Sequence, residues 1–230
     1  MKLLLFDVDL TLVSTGGAGL RALDRAFEEI LGIRGAVEGV RPHGKTDPAI
    51  VREVCSRRKL ADIGDLDAFT GRVLGSYVEF LKNEVVHSEN YRVLPGVRDI
   101  LDEAGRREDV MLGLATGNVE VGARIKLERG GLNGYFSFGG FGSDSEDRTQ
   151  VVAVAARRAS ALGASATPDH TFVIGDTPRD ILAGKAAGFR TIAVGTGNYS
   201  TEALCMTGAD LVIEDLKVGR DQFWGTTRIV

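Results

Sequence analysis

Leu3-Leu4-Leu5-Phe6-Asp7-Val8-Asp9-Leu10-Thr11 opens the chain with an uninterrupted apolar run that ends abruptly in two aspartates and a threonine. In extended backbone, residues i and i+2 point the same way, so Asp7 and Asp9 share one side of the strand end. A near-continuous apolar strand marks a sheet covered on both faces, and such sheets carry their chemistry at the carboxyl ends of their strands. Two carboxylates delivered there suit a metal site, an acid–base pair, or a nucleophile beside its proton donor. The plain alternative is a strand ending in a solvated acidic turn.

Working outward, Thr15 to Gly19 is small and flexible and reads as a hinge. Leu20, Leu23, Ala26, Phe27, Ile30 and Leu31 then recur at helical spacing. A second helix is expected from about Pro48 to Arg58. A third starts near Asp65 and carries Leu66, Phe69, Val73, Leu74, Tyr77, Val78 and Leu81. Three helices with no strand between them break a strand–helix alternation, so residues 15–92 read as an inserted all-helical cap between two linkers. The second linker lies around Tyr91 to Gly96. Residues 1–14 and 93–230 form the catalytic core in this reading.

Beyond the second linker the alternation is regular. A helix at 97–107 leads to the strand Val110 to Ala115, which ends in Thr116-Gly117-Asn118. Another helix follows, then a short aromatic strand around Tyr135 to Phe138 and a Gly-rich loop. A helix at 148–162 precedes the strand Thr171 to Ile174, which ends in Gly175-Asp176-Thr177. A helix to Ala187 and strands at 191–194 and 211–213 complete the pattern; the tail from Gly219 carries no signal. The fold class expected is α/β, a Rossmann-like parallel sheet flanked by helices, with right-handed crossovers.

Composition bounds the partners. With 43% hydrophobic and 26% charged residues, the 230-residue chain is an ordinary globular one. A net charge of −4 without a basic stripe argues against nucleic acid. Its 30 glycines are nearly twice the usual share of about 7%, which favours many tight strand–helix turns. Cys55 and Cys205 show no ligand spacing and read as reduced thiols. No signal-peptide pattern and no apolar run of about 18 residues is present. A cytoplasmic protein without membrane attachment, monomer or homodimer, is expected.

Three buried strands thus end in polar groups: Asp7 with Asp9, Thr116, and Asp176. A parallel sheet brings these ends to one edge. Ordinary helix N-capping accounts for each singly, but not for the set. Asp7-Val8-Asp9-Leu10-Thr11, Thr116-Gly117-Asn118 and Gly175-Asp176-Thr177-Pro178-Arg179-Asp180 resemble the first, second and fourth motifs of the haloacid dehalogenase superfamily. The helical insertion after the first motif resembles that superfamily's C1 cap, as in phosphoglycolate-phosphatase-like members. The third motif usually supplies a lysine before a helix. Here Gly142 to Arg148 is the matching place, and Arg148 is its only cation.

The resemblance implies that Asp7 attacks phosphorus to form an aspartyl-phosphate. Asp9 protonates the leaving alcohol and then deprotonates water. Thr116, Gly117 and Asn118 bind phosphoryl oxygens, and Arg148 offsets transition-state charge. A phosphomonoester dianion about 4 Å from one carboxylate is repelled by roughly 8 kcal/mol at an effective dielectric near 20. A divalent cation is therefore required, and Mg²⁺ suits carboxylate, phosphate and water oxygens. The expected ligands are Asp7, the Asp9 carbonyl and Asp176, with Asp180 one turn further on orienting its neighbours. An acid at Asp9 also points to an alkoxide leaving group rather than a halide, which needs no proton. A small phosphorylated metabolite is the implied substrate, phosphoglycolate the best single guess.

Other readings compete. A phosphomutase would use the same residues, and a non-catalytic regulatory member the same fold. Gly39-Val40-Arg41-Pro42-His43-Gly44-Lys45-Thr46 formally matches a phosphate-binding P-loop. That loop must follow a buried strand, and Leu31 to Glu38 is a poor one. In the capped reading Lys45 is a candidate substrate contact at a loop turned toward the site. The alternative is a solvated lysine before a helix capped by Asp47. His43 is a weaker contact of the same kind, and His87 and His170 read as structural or exposed.

Overall fold

In the computed structural model, which describes residues 1–60 and 63–227, the opening apolar run forms strand β1 (Lys2–Phe6), with Leu3 to Phe6 wholly buried. A two-residue strand β2 (Val13–Ser14) leads to helices α1 (Ala18–Leu31), α2 (Asp47–Arg57) and α3 (Leu66–Val86), and β3 (Arg92–Val93) follows. The alternating series is α4 (Val97–Gly105), β4 (Val110–Ala115), α5 (Glu120–Arg129), β5 (Gly139–Gly140), α6 (Arg148–Ala161), β6 (Thr171–Gly175) and α7 (Pro178–Ala186). It ends with β7 (Arg190–Val194), α8 (Thr201–Cys205), β8 (Leu211–Ile213) and α9 (Arg220–Thr227).

Among the described residues the sheet has the order β5-β4-β1-β6-β7-β8, and every pairing is parallel. The alternation of β1 sends Leu4 and Phe6 to one face, where they join Val97, Ile100 and Leu101 of α4 and Phe223 of α9. Leu3 and Leu5 go to the other face, against Val152 and Ala155 of α6 and Ala183 of α7. This is the Rossmann-like α/β architecture expected, with both faces of the sheet covered. Phe6 lies opposite Leu114 on one side and Ile174 on the other, so the three polar strand ends emerge in register at one edge.

The helices between β2 and β3 share a second apolar cluster, which also takes in Val119 before α5. It contains Ala22, Ala26 and Phe27 of α1, Ile50 and Val54 of α2, and Phe69, Val73 and Leu81 of α3. Where the chain leaves for these helices and returns, Val13 pairs antiparallel with Val93 and Ser14 with Arg92. The two linkers are therefore clasped together as a two-residue ladder.

Three local expectations change. The strand placed at Tyr135 to Phe138 is instead a 3₁₀ turn over Asn133–Tyr135, and the ladder falls on Gly139 and Gly140. A side chain at Gly140 would collide with the Val151 carbonyl of α6, so no aromatic fits there. Phe136 and Phe138 fill the core, and the Phe138 carbonyl accepts from the Leu114 amide of β4 at 3.2 Å just before the ladder begins. The tail beyond Gly219 folds as α9 and stacks Phe223 at 6.4 Å from Phe6. The cap of α2 is Thr46, whose hydroxyl accepts from the Ala49 amide, and Asp47 is the first helical residue. As the poor strand character of Leu31 to Glu38 implies, turns precede Gly39 to Thr46, so the P-loop pattern lacks its structural context.

Candidate active site

Asp7 and Asp9 leave β1 on the same side while Val8, between them, is wholly buried in the core. Their environments differ. Asp7 is 6% exposed, whereas the Asp9 side chain is 41% exposed and faces a cavity. The chain turns sharply after Asp9: Leu10 adopts a left-handed φ of 58° and its amide donates to the Val13 carbonyl at 2.7 Å. Left-handed backbone is costly for a branched residue, on the order of 1–2 kcal/mol. The Thr196 hydroxyl donates to the Leu10 carbonyl at 2.6 Å and helps hold the turn.

Asp7, Asp176 and Asp180 each offer a buried carboxylate oxygen, and these oxygens all lie within 4.8 Å of one another. The sequence Thr177-Pro178-Arg179-Asp180 builds a capping box at the start of α7. The Thr177 amide and hydroxyl both donate to Asp180 Oδ2, at 3.0 and 2.7 Å. Arg148, the first residue of α6, pairs with Asp180 Oδ1 and lies 3.4 Å from Asp7 Oδ1. The Thr11 hydroxyl donates to Asp176 Oδ1 at 3.3 Å. A side chain at Gly197 would collide with Asp176 Oδ2, so the wall beside that carboxylate must be bare backbone.

Burial, and then the Asp180 charge, push Asp7 up to about 7 against the pull of Arg148. Burial, Asp180 and Asp7 push Asp176 up to about 9. Three carboxylates facing one guanidinium are short of positive charge. An all-oxygen set of this kind suits a hard divalent cation, so the residues present fit Mg²⁺.

At the end of β4, Thr116 is wholly buried and hydrogen-bonds Asp7. The Asn118 amide nitrogen Nδ2 donates to Thr116 Oγ1 at 2.9 Å and to Asp9 Oδ2 at 2.8 Å, tying the first two motifs together. Gly117 passes so close to the Lys45 carbonyl and Arg148 that any side chain there would collide. Asp47 joins the helical insertion to the same loop. Its amide donates to the Gly117 carbonyl at 2.8 Å, and its Oδ2 accepts from the Val119 amide at 2.8 Å. Burial pushes Asp47 up to about 6, against the pull of Lys126 and the Val119 amide.

A cavity of about 200 Å³ opens above this edge, lined by Asp7, Asp9, Gly117, Asn118, Arg148 and Asp176 from the sheet side. The opposite wall comes from Gly16, Gly17, Gly19, Leu20, Leu23, Ile50, Leu74 and Tyr77. Lys45 and His43 also line it, though Lys45 Nζ pairs with Glu53 and His43 Nδ1 lies 3.1 Å from Asn198 Nδ2. His87 and His170 lie elsewhere, bonded locally to the Asn83 carbonyl and the Thr167 hydroxyl. Sequence reading assigns no site role to Lys126, yet this residue of α5 is 4% exposed and reaches the cavity, its Nζ 2.6 Å from Asp9 Oδ2. Burial opposes its charge, but Asp9, Tyr77 and Asp47 outweigh that and hold it above the ordinary lysine range. No periodicity in the sequence marked it: charged residues are spread around α5, and only the fold shows Gly122, Ala123, Lys126 and Leu127 to be its buried side.

The chain matches the haloacid dehalogenase-like hydrolase family over residues 4–194. Pyrophosphatase PpaX of Oceanobacillus iheyensis is 28% identical over 142 residues, which cover 60% of this chain and 64% of that protein, just under two thirds of its length. A phosphoglycolate phosphatase of Pseudomonas putida is 27% identical over 223 residues, covering 94% of this chain and 77% of that one. The crystal structure of a hydrolase from Pseudomonas syringae superposes with a TM-score of 0.71 at 20% identity, covering 100% of this chain and 99% of that one. At that identity the likeness speaks for the fold alone. Among the described residues, no helix is long and apolar enough to cross a membrane.

Proposed function

The chain belongs to the haloacid dehalogenase-like hydrolases, and on that premise we propose that it is a Mg²⁺-dependent phosphatase of small phosphorylated metabolites, acting through an aspartyl-phosphate. The observation that carries the proposal is the meeting of Asp7, Asp9, Arg148 and Asp176 at one cavity, with Asp180 beside them and Thr116 behind Asn118. Relatives named as phosphatases support the reaction class. Asp9, which borders the cavity where a leaving oxygen would lie, supports an alcohol leaving group over a halide.

Asp7 and Asp176, with the Asp9 carbonyl, would hold the cation; Asp180 has both oxygens engaged and orients Arg148 and α7. When bound, the cation supplies the positive charge that lets a phosphate dianion approach these carboxylates. An Asp7 carboxylate oxygen attacks phosphorus as the bond to the leaving oxygen breaks, and Asp9 gives that oxygen its proton. In the second step Asp9 takes a proton from water as the water oxygen attacks phosphorus, releasing phosphate and restoring Asp7. Thr116 Oγ1, the amides of Gly117 and Asn118, and the Arg148 guanidinium bind the phosphoryl oxygens.

Residues 15–92 would act as a cap over this chemistry. An apolar cluster drawn almost wholly from these residues and the paired β2–β3 linkers support movement about the hinge at Thr15 to Gly19. The apolar wall they contribute, with Lys45 and His43 at its rim, would choose the leaving group. Phosphoglycolate is the substrate we put first, on the strength of one relative's activity. A panel of phosphorylated metabolites assayed with Mg²⁺ tests the proposal. Phosphate release from at least one, lost on chelation, is expected. No turnover across the panel would overturn it, and an isomerised phosphate ester in place of free phosphate would make the chain a mutase.

A further inference from the structure

A lysine ammonium carries three N–H donors and no acceptor. Lys126 donates to Asp9 Oδ2, at 2.6 Å, and to Asn118 Oδ1, with the Tyr77 phenol nearby at the same cavity. Its contacts converge on a single atom of the proposed chemistry. Asp9 Oδ2 accepts from Lys126 Nζ and from Asn118 Nδ2, and Asn118 is itself held by Thr116 and Lys126. Among the described residues none donates to Asp9 Oδ1, on a side chain 41% exposed to the cavity.

We infer that Lys126 is a positioning residue: with Asn118 it fixes Asp9 by Oδ2 and so makes Oδ1 the oxygen that carries the catalytic proton. The inference rests on the proposal that Asp9 is the acid. An oxygen already accepting two N–H bonds is a poor site for a proton, because its lone pairs are occupied by donors. The proton therefore resides on Oδ1, passes from there to the leaving oxygen as its bond to phosphorus breaks, and returns from water in the second step. Lys126 neither gains nor loses a proton. Tyr77, on α3, lines the cavity near the Lys126 charge and brings the helical insertion close to the same clamp.

The test compares kcat/KM, which reports steps up to leaving-group departure, for an alkyl phosphate and for p-nitrophenyl phosphate, whose phenolate leaves without an acid. General acid catalysis contributes about 10²–10⁴-fold. Lys126→Met should lower kcat/KM for the alkyl ester about 100-fold and for the aryl ester less than about tenfold. In an Asp9→Asn background, with no acid to position, Lys126→Met should change the alkyl value by less than about threefold, the non-additivity expected of groups acting as a unit. Equal losses for both esters, or in both backgrounds, would overturn the inference and leave Lys126 a structural residue. If the Met variant does not fold, Lys126→Gln, which retains one N–H donor for Oδ2, takes its place in the same cycle with the same directions. Asp9→Asn alone reads the underlying proposal: a loss indifferent to the leaving group would remove Asp9 as the acid, and the inference with it.

Discussion

Asp7 and Asp9 are two residues apart on one strand end, and their surroundings give them different work. Asp7 is buried against Asp176, Asp180 and Arg148, where burial and its neighbours' charges raise it to about 7. Asp9 stands at the cavity with one oxygen clamped. Asp7→Asn removes the proposed nucleophile while keeping the shape of the side chain. Turnover should fall by about 10⁴-fold or more, with an unchanged far-UV spectrum; hydrolysis within tenfold of wild type would contradict the nucleophile's assignment. The aspartates, Thr116 and Asp176 could be found in the sequence because each interrupts an apolar strand. Lys126 could not be found that way. It lies among Arg124, Glu128 and Arg129 on a helix whose charged residues conceal the one that faces inward.

At the scale of elements, the site is assembled by strand ends and helix starts. Thr177 shows how closely capping and chemistry are joined. Its hydroxyl caps α7 and holds Asp180, whose other oxygen holds Arg148. Thr177→Ala should cost about 1 kcal/mol of stability, as N-cap losses do, readable as a lower urea midpoint. The same variant should weaken turnover, because Asp180 no longer fixes Arg148. Unaltered kcat beside the stability loss would show that the capping box serves folding only. Strands β1, β4 and β6 were legible because buried parallel strands are unbroken apolar runs. Strand β5 was not, since close packing of α6 demands glycines where pattern reading looks for aromatics. Nor was α9, whose polar residues hide the buried Phe223 that anchors it.

For the molecule as a whole, the carboxylate cluster couples protons, metal and stability. Asp7 and Asp176 are raised to about 7 and about 9 from 3.8, so the folded chain holds protons there that the unfolded chain has already released. Where the folded state binds more protons, stability falls as pH rises. Metal-free protein should therefore lose thermal stability between about pH 4 and pH 9, the span separating the two sets of values. Mg²⁺ should restore it and should release protons on binding at about pH 7, as calorimetry in buffers of different ionisation enthalpy would read. Binding without proton release would place the ion away from these carboxylates. The central claim is that the phosphoryl group passes through Asp7 on its way to water. The stereochemical course at phosphorus, followed with an ester made chiral by oxygen isotopes, tests this most directly. Two successive in-line displacements predict retention of configuration; inversion would show that water attacks the substrate itself and would contradict the account.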